Sequence, residues 1–492
     1  VADQIGTGTD IDCTDILRSQ PVSGAMVAGQ GAKIVGSVPM PLSEIFEIAS
    51  EYVEASRFDR AERLLEHVIV AAPTNADALH LKGLIAARRK RPAQAAALME
   101  QAVKYGGRRS GQLRNLSEVY RLLGRLDEAL ALARQSVAAD PADPLGPFNL
   151  AMVYYDRLAI EPCIAAARHS LRLRPNLPQS HMKLGQALLI KGAFEEGWDE
   201  YEWRYQIPGA QALMPPTERK QWDGTPLGDK ALLLIADQGF GDVIMFARYV
   251  PWAMEVCPNI RIACSNEMKP TLARMFPALP LFTQWNEMGD FAAFCPFSGL
   301  PRLHKTRLET IPAPVPYLTA DPALVQTWRA RLDAEIPAGL KRVGFAWAGR
   351  PTHNNDHNRT TTLQSLAEIG TVPGIALVSL QRGEGIDQMA EWKGPAPLID
   401  IGTKVETFED TIAVIDQLDL LVTVDTAIGH FAGAMGRPAW VMVPFAPDWR
   451  WLMNRVDTPW YPSLRLFRHP LTRRWDLLVP AVVAELRRHL AG

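Results

Sequence analysis

Cysteine is scarce in this 492-residue chain: Cys13, Cys163, Cys257, Cys264 and Cys295 are the whole set, and no two form a C-x-x-C pair. That scatter gives neither a disulfide framework nor a zinc pattern, and isolated thiols with apolar flanks suit a reducing compartment. Long hydrophobic runs are missing too, so no membrane-spanning helix is expected. The opening residues lack a charged segment leading into a continuous apolar stretch. No secretory signal is therefore expected, and a cytoplasmic location is. Charge of one sign is also lacking. With 52 Lys+Arg against 54 Asp+Glu and a formal net charge of -2, no global basic field exists to hold nucleic acid. What remains is ordinary globular composition, 47% hydrophobic and 22% charged, in a chain long enough for about two or three domains.

The first half repeats itself. Pro73, Pro141 and Pro175 stand 68 and 34 residues apart. Ala49, Gly83, Ser117, Ala151 and Gly185 keep a 34-residue step, as do Ala61, Ala95, Ala129, Cys163 and Gly197, and every one of these is small. Small residues at a fixed period are what antiparallel helices need where they cross closely. Tyr52, Tyr120 and Tyr154 are expected to fill the spaces between pairs, and the prolines to stop each second helix. This is the spacing of tetratricopeptide (TPR) repeats. Five units are expected across residues 42–207, after a loosely ordered leader (1–41) and before a proline-rich connector (208–229). Such an array serves either as a spacer and assembly surface or as a groove for a partner polypeptide.

Beyond Lys230 short apolar runs alternate with helical patterns. Ala231–Ala236, Ile260–Cys264, Leu281–Trp285 and Phe291–Cys295 form one set of strand candidates. Arg342–Ala346, Ala376–Leu380, Pro397–Ile401, Leu420–Val424, Ala439–Val443 and Leu464–Phe467 form a second. Helices are expected at Val243–Glu255, Thr407–Gln417 and Ile428–Met435. Strands buried on both faces and separated by helices imply parallel sheets. The simplest architecture is α + α/β: an α-solenoid followed by two Rossmann-like halves, 230–335 and 336–475, meeting at a cleft near Asp321–Gly339. A closing amphipathic helix (476–492) would pack back across both.

Ligands of open α/β sheets bind beyond the carboxyl ends of strands, and four loops there carry candidate chemistry. In Ala236–Asp242, Gly239 and Gly241 allow close backbone approach, although Ile244 stands where a dinucleotide loop has its third glycine. Asp242 is either a helix N-cap or a general base, and spacing alone favours the cap. In Thr423–His430, the amides at the helix start with the Thr426 hydroxyl would suit a diphosphate. Asp425 there could be a cap, and His430 could face core or ligand. The loop Trp347–Arg359 holds His353, Asp356 and His357, but Pro351 and the asparagines argue against a helical metal site. Arg350 and Arg359 fit phosphate or carboxylate better. In Pro444–Trp451, Trp449 is either a sugar-stacking platform or an interdomain plug.

Gly241-Asp242 opening the first helix, with Val424-Asp425-Thr426-x-x-x-His430, resembles the heptosyltransferase-like (family 9) group of GT-B glycosyltransferases. Fused to TPR units, the whole resembles bacterial TPR–glycosyltransferases, including flagellin-modifying enzymes, with a layout like that of O-GlcNAc transferase. Trp347-Ala348-Gly349, Asn355-Asp356-x-x-Arg359 and Pro447-Asp448-Trp449-Arg450-Trp451 look like signatures of that branch. The resemblance implies a nucleotide-sugar donor as co-substrate, no cofactor, no metal, and a protein acceptor gripped by the TPR groove. It also implies Asp242 as catalytic base and Thr426, Ala427 and His430 as the donor-diphosphate loop. Ala427 replaces the usual glycine and no phosphate lysine is evident, so Arg359 is expected to substitute. Gly239, Gly241, Trp347, Asn355, Asp356, Gln381, Asp425 and Trp449 complete the expected substrate-binding set. Transfer to glycans or lipid-linked sugars, or a non-enzymatic TPR adaptor, are the alternatives.

Overall fold

The computed structural model describes residues 33–35, 38–209, 214–312, 315–353, 355–471 and 474–491. These fall into two compact units that divide between Leu184 and Gly185. Residues 1–32 of the expected leader lie outside the described residues. Lys33–Val35 (β1) and Val38–Met40 (β2) pair antiparallel.

In the N-terminal unit Leu42–Glu54 packs on Phe58–Ala71, Ala76–Arg88 on Pro92–Gly106, Ser110–Leu122 on Leu126–Ala139, and Leu145–Asp156 on Ile160–Leu173. The small series sits at these crossings. Ala49, Ala61, Ala95, Ala129, Ala151 and Cys163 have no exposed surface. A Cβ on Gly83 would stand 2.7 Å from Met99 Cγ, and Ser117 Oγ donates to the Ala129 carbonyl at 2.8 Å. The period extends to the surface, where the Arg89–Asp59 pair recurs two repeats later as Arg157–Asp127.

A fifth helical pair, Pro178–Lys191 and Phe194–Tyr201, continues the pattern. Yet the division between units falls inside its first helix, short of the boundary near residue 207 that the period suggests. The reason is aromatic packing. Trp198 donates its indole N–H to the Thr306 carbonyl at 3.0 Å and lies edge-on to Trp449 with ring centroids 5.3 Å apart, while Phe194 stacks on Trp460 at 6.1 Å. The last helix of the repeat pattern is thus part of the C-terminal unit's core.

That unit holds two all-parallel sheets. The strands Leu232–Ile235 (β3), Ile260–Ala263 (β4), Leu281–Phe282 (β5) and Ala293–Pro296 (β6) lie in the order β5-β4-β3-β6. The second sheet comprises Lys341–Ala346 (β7), Ile375–Ser379 (β8), Leu398–Asp400 (β9), Leu420–Val424 (β10), Ala439–Val443 (β11) and Leu464–Arg468 (β12). Its order, β12-β11-β10-β7-β8-β9, is the doubly wound pattern with a topological switch between β7 and β10. Every residue of β3, β8, β10 and β11 is buried, which is why these strands read as unbroken apolar runs.

Three sequence expectations change. The helix expected over Val243–Glu255 is two, Phe240–Ala247 and Val250–Val256, because Pro251 starts a new one. The stretch Asp321–Gly339 is not an open cleft but mostly the helix Pro322–Glu335, capped by Asp321 and tied by the Trp328 indole to Asp410 at 3.0 Å. The closing helix Trp475–Ala491 does not cross both sheets. Leu478, Val479, Val482, Val483 and Leu486 bury against Val343, Leu377 and Leu420 of the second sheet, the apolar face that matches its stripe.

Candidate functional site

The carboxyl ends of β3 and β10 are brought together by two short helices, Phe240–Ala247 and Ala427–Ala434, packed against each other. Gly241 is what lets them meet: a Cβ there would stand 2.7 Å from His430 Cδ2 and 3.3 Å from Ala427 Cα. Gln238, at φ 67°, holds a left-handed conformation that costs a non-glycine residue about 1–3 kcal/mol. Such strain persists only where the surroundings impose it, and here they set the turn that carries Asp242.

Asp242 is not the N-cap, which is Gly239, but the third residue of the helix Phe240–Ala247, from where its side chain reaches back to the helix start. Its Oδ2 accepts the Gly239 N–H at 3.1 Å, as a helix-start carboxylate should, and its Oδ1 lies 2.5 Å from Arg450 Nη2. Burial pushes its carboxyl above the ordinary range, against the pull of Arg450 and with help from Asp448. Arg450 is itself buried. It donates through Nη1 to Asp448 Oδ1 at 2.8 Å and through Nη2 to Gln238 Oε1 at 3.3 Å, and its guanidinium lies 4.3 Å over the Trp449 ring. Asp448 caps the short Trp449–Trp451 turn, with Arg450 N donating to its Oδ1 at 3.0 Å. Burial raises the Asp448 carboxyl, but the Arg450 charge and hydrogen bonds together with His353 hold it below its usual range. Arg468 anchors the loop by donating to the carbonyls of Trp451, Leu452 and Arg455.

The second cluster surrounds the start of Ala427–Ala434. Thr426 is its N-cap residue, in extended conformation, with its hydroxyl 3.2 Å from that of Thr423. Arg359 donates to the Asp425 carbonyl at 3.2 Å and lies so close to Gly349 that a Cβ there would be 2.7 Å from its Nη2. The His430 ring is buried between Trp451 and Tyr461, with Nδ1 2.9 Å from the Tyr461 hydroxyl. Burial, reinforced by Arg450, lowers it to about 3 and keeps it neutral. His353 is likewise lowered to about 3 by burial and by Arg359.

Asp425 does not cap the helix. Burial pushes its carboxyl up to about 6 from an ordinary 3.8, while Arg359 opposes the shift. A carboxyl raised in the folded state lends stability that is complete below its unfolded value and is lost as pH rises through 6. Asp425→Asn should therefore gain on the unmodified protein between pH 4 and 7, by about 3 kcal/mol at most. Denaturant unfolding at both pH values measures this, and an unchanged difference would mean that Asp425 is ionised without penalty.

Several expected substrate ligands are engaged within the chain. Gln381 is spent on the backbone, accepting from the Trp347 and Ala348 amides at 3.0 Å each and donating to the Ala348, Arg382 and Glu384 carbonyls. Trp347 is fully buried beside it. Asn355 accepts from Asn358 at 2.8 Å, and Asp356 accepts from the Thr360 hydroxyl at 2.7 Å and pairs with Arg359, so both shape their own loop. Trp449, walled by Trp198, Tyr201 and Trp460, is packed as a plug. Sequence reasoning passed over Arg450 and Asp448 as site residues, although a charge pair inside a run of tryptophans was the available signal. Among the described residues no group of three or more His, Cys, Asp or Glu gathers as a metal site.

In the N-terminal unit the helix Ser110–Leu122 buries an unusual row of polar groups. Arg114 pairs with Asp143 at 2.6 Å, Arg121 with Glu118 at 2.7 Å, and Asn115 lies 3.0 Å from His80 Nε2. The Asn115 and Asn149 side-chain oxygens, one 34-residue period apart, are buried without a hydrogen-bond partner.

Comparison with known proteins fits this division. Residues 46–112 and 92–144 match the tetratricopeptide repeat family. The N-terminal unit carries TPR repeats. Protein FlbA of Caulobacter vibrioides is 26% identical over 381 residues, covering 70% of this chain and 61% of FlbA, so the chain spans less than two thirds of that relative's length. Among solved structures, MamA shares 18% identity over 32% of this chain and 93% of its own, with a TM-score of 0.29. YrrB, a TPR protein with an unusual peptide-binding site, shares 15% over 33% of this chain and 84% of its own, also at 0.29. TTC0263, a thermophilic TPR protein of Thermus thermophilus, shares 18% over 35% of this chain and 100% of its own, at 0.32.

Proposed function

We propose that this protein is an inverting, metal-independent glycosyltransferase of GT-B type, moving a sugar from a nucleotide-sugar to a hydroxyl of a protein acceptor held by the TPR repeats. The observation that carries the reading is the Asp242 carboxylate, at the end of β3, standing across a glycine-tight seam from the helix start at Thr426–Ala427, with Arg359 and Arg450 beside it. Asp242 takes the proton of the acceptor hydroxyl as that oxygen bonds to the anomeric carbon from the face opposite the leaving group. The bond from the anomeric carbon to phosphate breaks, and its electron pair leaves with the nucleoside diphosphate. The helix amides and Arg359 stabilise that charge. Flagellin or another surface protein is the acceptor class this reading favours.

Intact-mass measurement of candidate acceptor proteins co-expressed with the chain tests the proposal directly. A mass increase of one or more sugar residues supports it. Acceptors of unchanged mass, with no nucleotide binding, would leave the TPR adaptor as the better reading. Transfer should persist in excess EDTA, since guanidinium and amide groups take the place of a cation. Activity recovered only on adding Mg²⁺ or Mn²⁺ would refute the arginine-and-amide account.

A further inference from the structure

Arg450 occupies an unusual electrostatic position. Its side chain is only 8% exposed, and it lies between two carboxylates on different loops, Asp242 at 2.5 Å and Asp448 at 2.8 Å. Its Nε is buried without a hydrogen-bond partner. The Asp448 bond and the Trp449 ring hold the guanidinium from one side, so the Asp242 bond can break without releasing the arginine from its own loop. Asp242, for its part, has both oxygens engaged, one by Arg450 and the other by the Gly239 amide. Both bonds favour the ionised carboxylate, so loss of the Arg450 partner adds to the effect of burial and strengthens its hold on a proton. An arriving diphosphate carries more negative charge than Asp242 and would compete for the Nη2 that Asp242 holds.

We propose that Arg450 is a latch shared between Asp242 and the phosphates of the incoming donor, so that donor binding frees the carboxylate for proton abstraction. The inference rests on the glycosyltransferase reading and adds to it an order of events, with donor binding before base activation. It also explains why a charged pair sits within a tryptophan-rich loop. Asp448 tethers the arginine to its own loop through Nη1, and Gln238 accepts from the same Nη2 that meets Asp242.

The test is a double-mutant cycle on the full chain, with inorganic pyrophosphate as the probe and calorimetric titration as the readout. Asp242→Asn keeps the shape of the site and can still accept from the Gly239 amide, so it is the variant expected to fold. It removes the competitor for Arg450 and should bind pyrophosphate about tenfold more tightly than the unmodified protein. Arg450→Gln should bind it more weakly, and the Asp242→Asn gain should vanish in the Arg450→Gln background. If Asp242→Asn alters affinity less than about twofold, the latch is refuted while the donor site stands. An equal gain with and without Arg450 also refutes it, since Asp242 then acts by plain repulsion of the anion. Should Arg450→Gln fail to fold, Arg450→Lys, which keeps the charge but loses the separate donors that reach Asp242 and Asp448, should shrink the gain. An undiminished gain with lysine overturns the sharing of the guanidinium. Absence of pyrophosphate binding in every folded protein would sink both the latch and the donor site.

Discussion

Asp242→Asn is expected to lower sugar transfer by roughly 10²–10⁴-fold, the usual worth of a positioned general base. The fold should survive. Asparagine keeps an oxygen that can accept the Gly239 amide, and Arg450 keeps its bond to Asp448. Transfer rate per folded molecule and melting temperature, measured together, separate a catalytic Asp242 from one that only closes the helix start. A melting temperature lowered by several degrees with undiminished turnover would leave Asp242 the helix-start role and nothing more. Asp242→Ala should cost more stability, since it also removes the acceptor for the Gly239 amide and leaves one side of Arg450 uncompensated.

A chain beginning at Gln221 is expected not to reach a stable fold, although every strand of both sheets lies beyond that point. It would lack Phe194, Trp198, Tyr201, Arg204 and Tyr205. Tyr205 donates to the buried Asp237 at 3.1 Å, and Arg204 donates to Ser298 Oγ at 2.8 Å, so their loss takes the tyrosine hydroxyl and the arginine charge away from the Asp237–Ser298 pair at the ends of β3 and β6. Removing a large buried aromatic costs about 3–5 kcal/mol, and two such losses rival a total stability of about 5–15 kcal/mol. A chain beginning at Pro178 retains all of these contacts and should fold. Soluble yield and thermal unfolding of the two chains decide the matter. A cooperative melt of the shorter chain within a few degrees of the longer would show that the Phe194–Tyr201 helix is an accessory.

Much of the architecture was legible beforehand because local spacing carries it. A 34-residue step of small side chains can be met only by repeated helix crossings, and the crossings are where Gly83, Ser117 and Ala129 lie. Likewise β3, β8, β10 and β11 had to be apolar throughout because helices and neighbouring strands cover both faces, so they stood out against polar loops. The Asp242 and Asp425–His430 loops followed from their place at strand ends. Trp449 shows where that reasoning stopped. An aromatic residue in a loop after β11 is equally compatible with a stacking platform and a plug, and only its neighbours Trp198, Tyr201 and Trp460 separate the two.

The amino-acid sequence by itself determined the repeat, the alternation of strand and helix, and which loops hold polar residues beyond strand ends. All three depend on residues within a few turns of one another. Tertiary structure alone decided that Gly241 is the contact point of two helices, and that the last repeat helix belongs to the C-terminal unit. It alone placed Arg450 against both Asp242 and Gln238, the latter 212 residues away. Pairings at that distance leave no periodic trace, because hydrophobic spacing records which face of an element is buried and not what it is buried against.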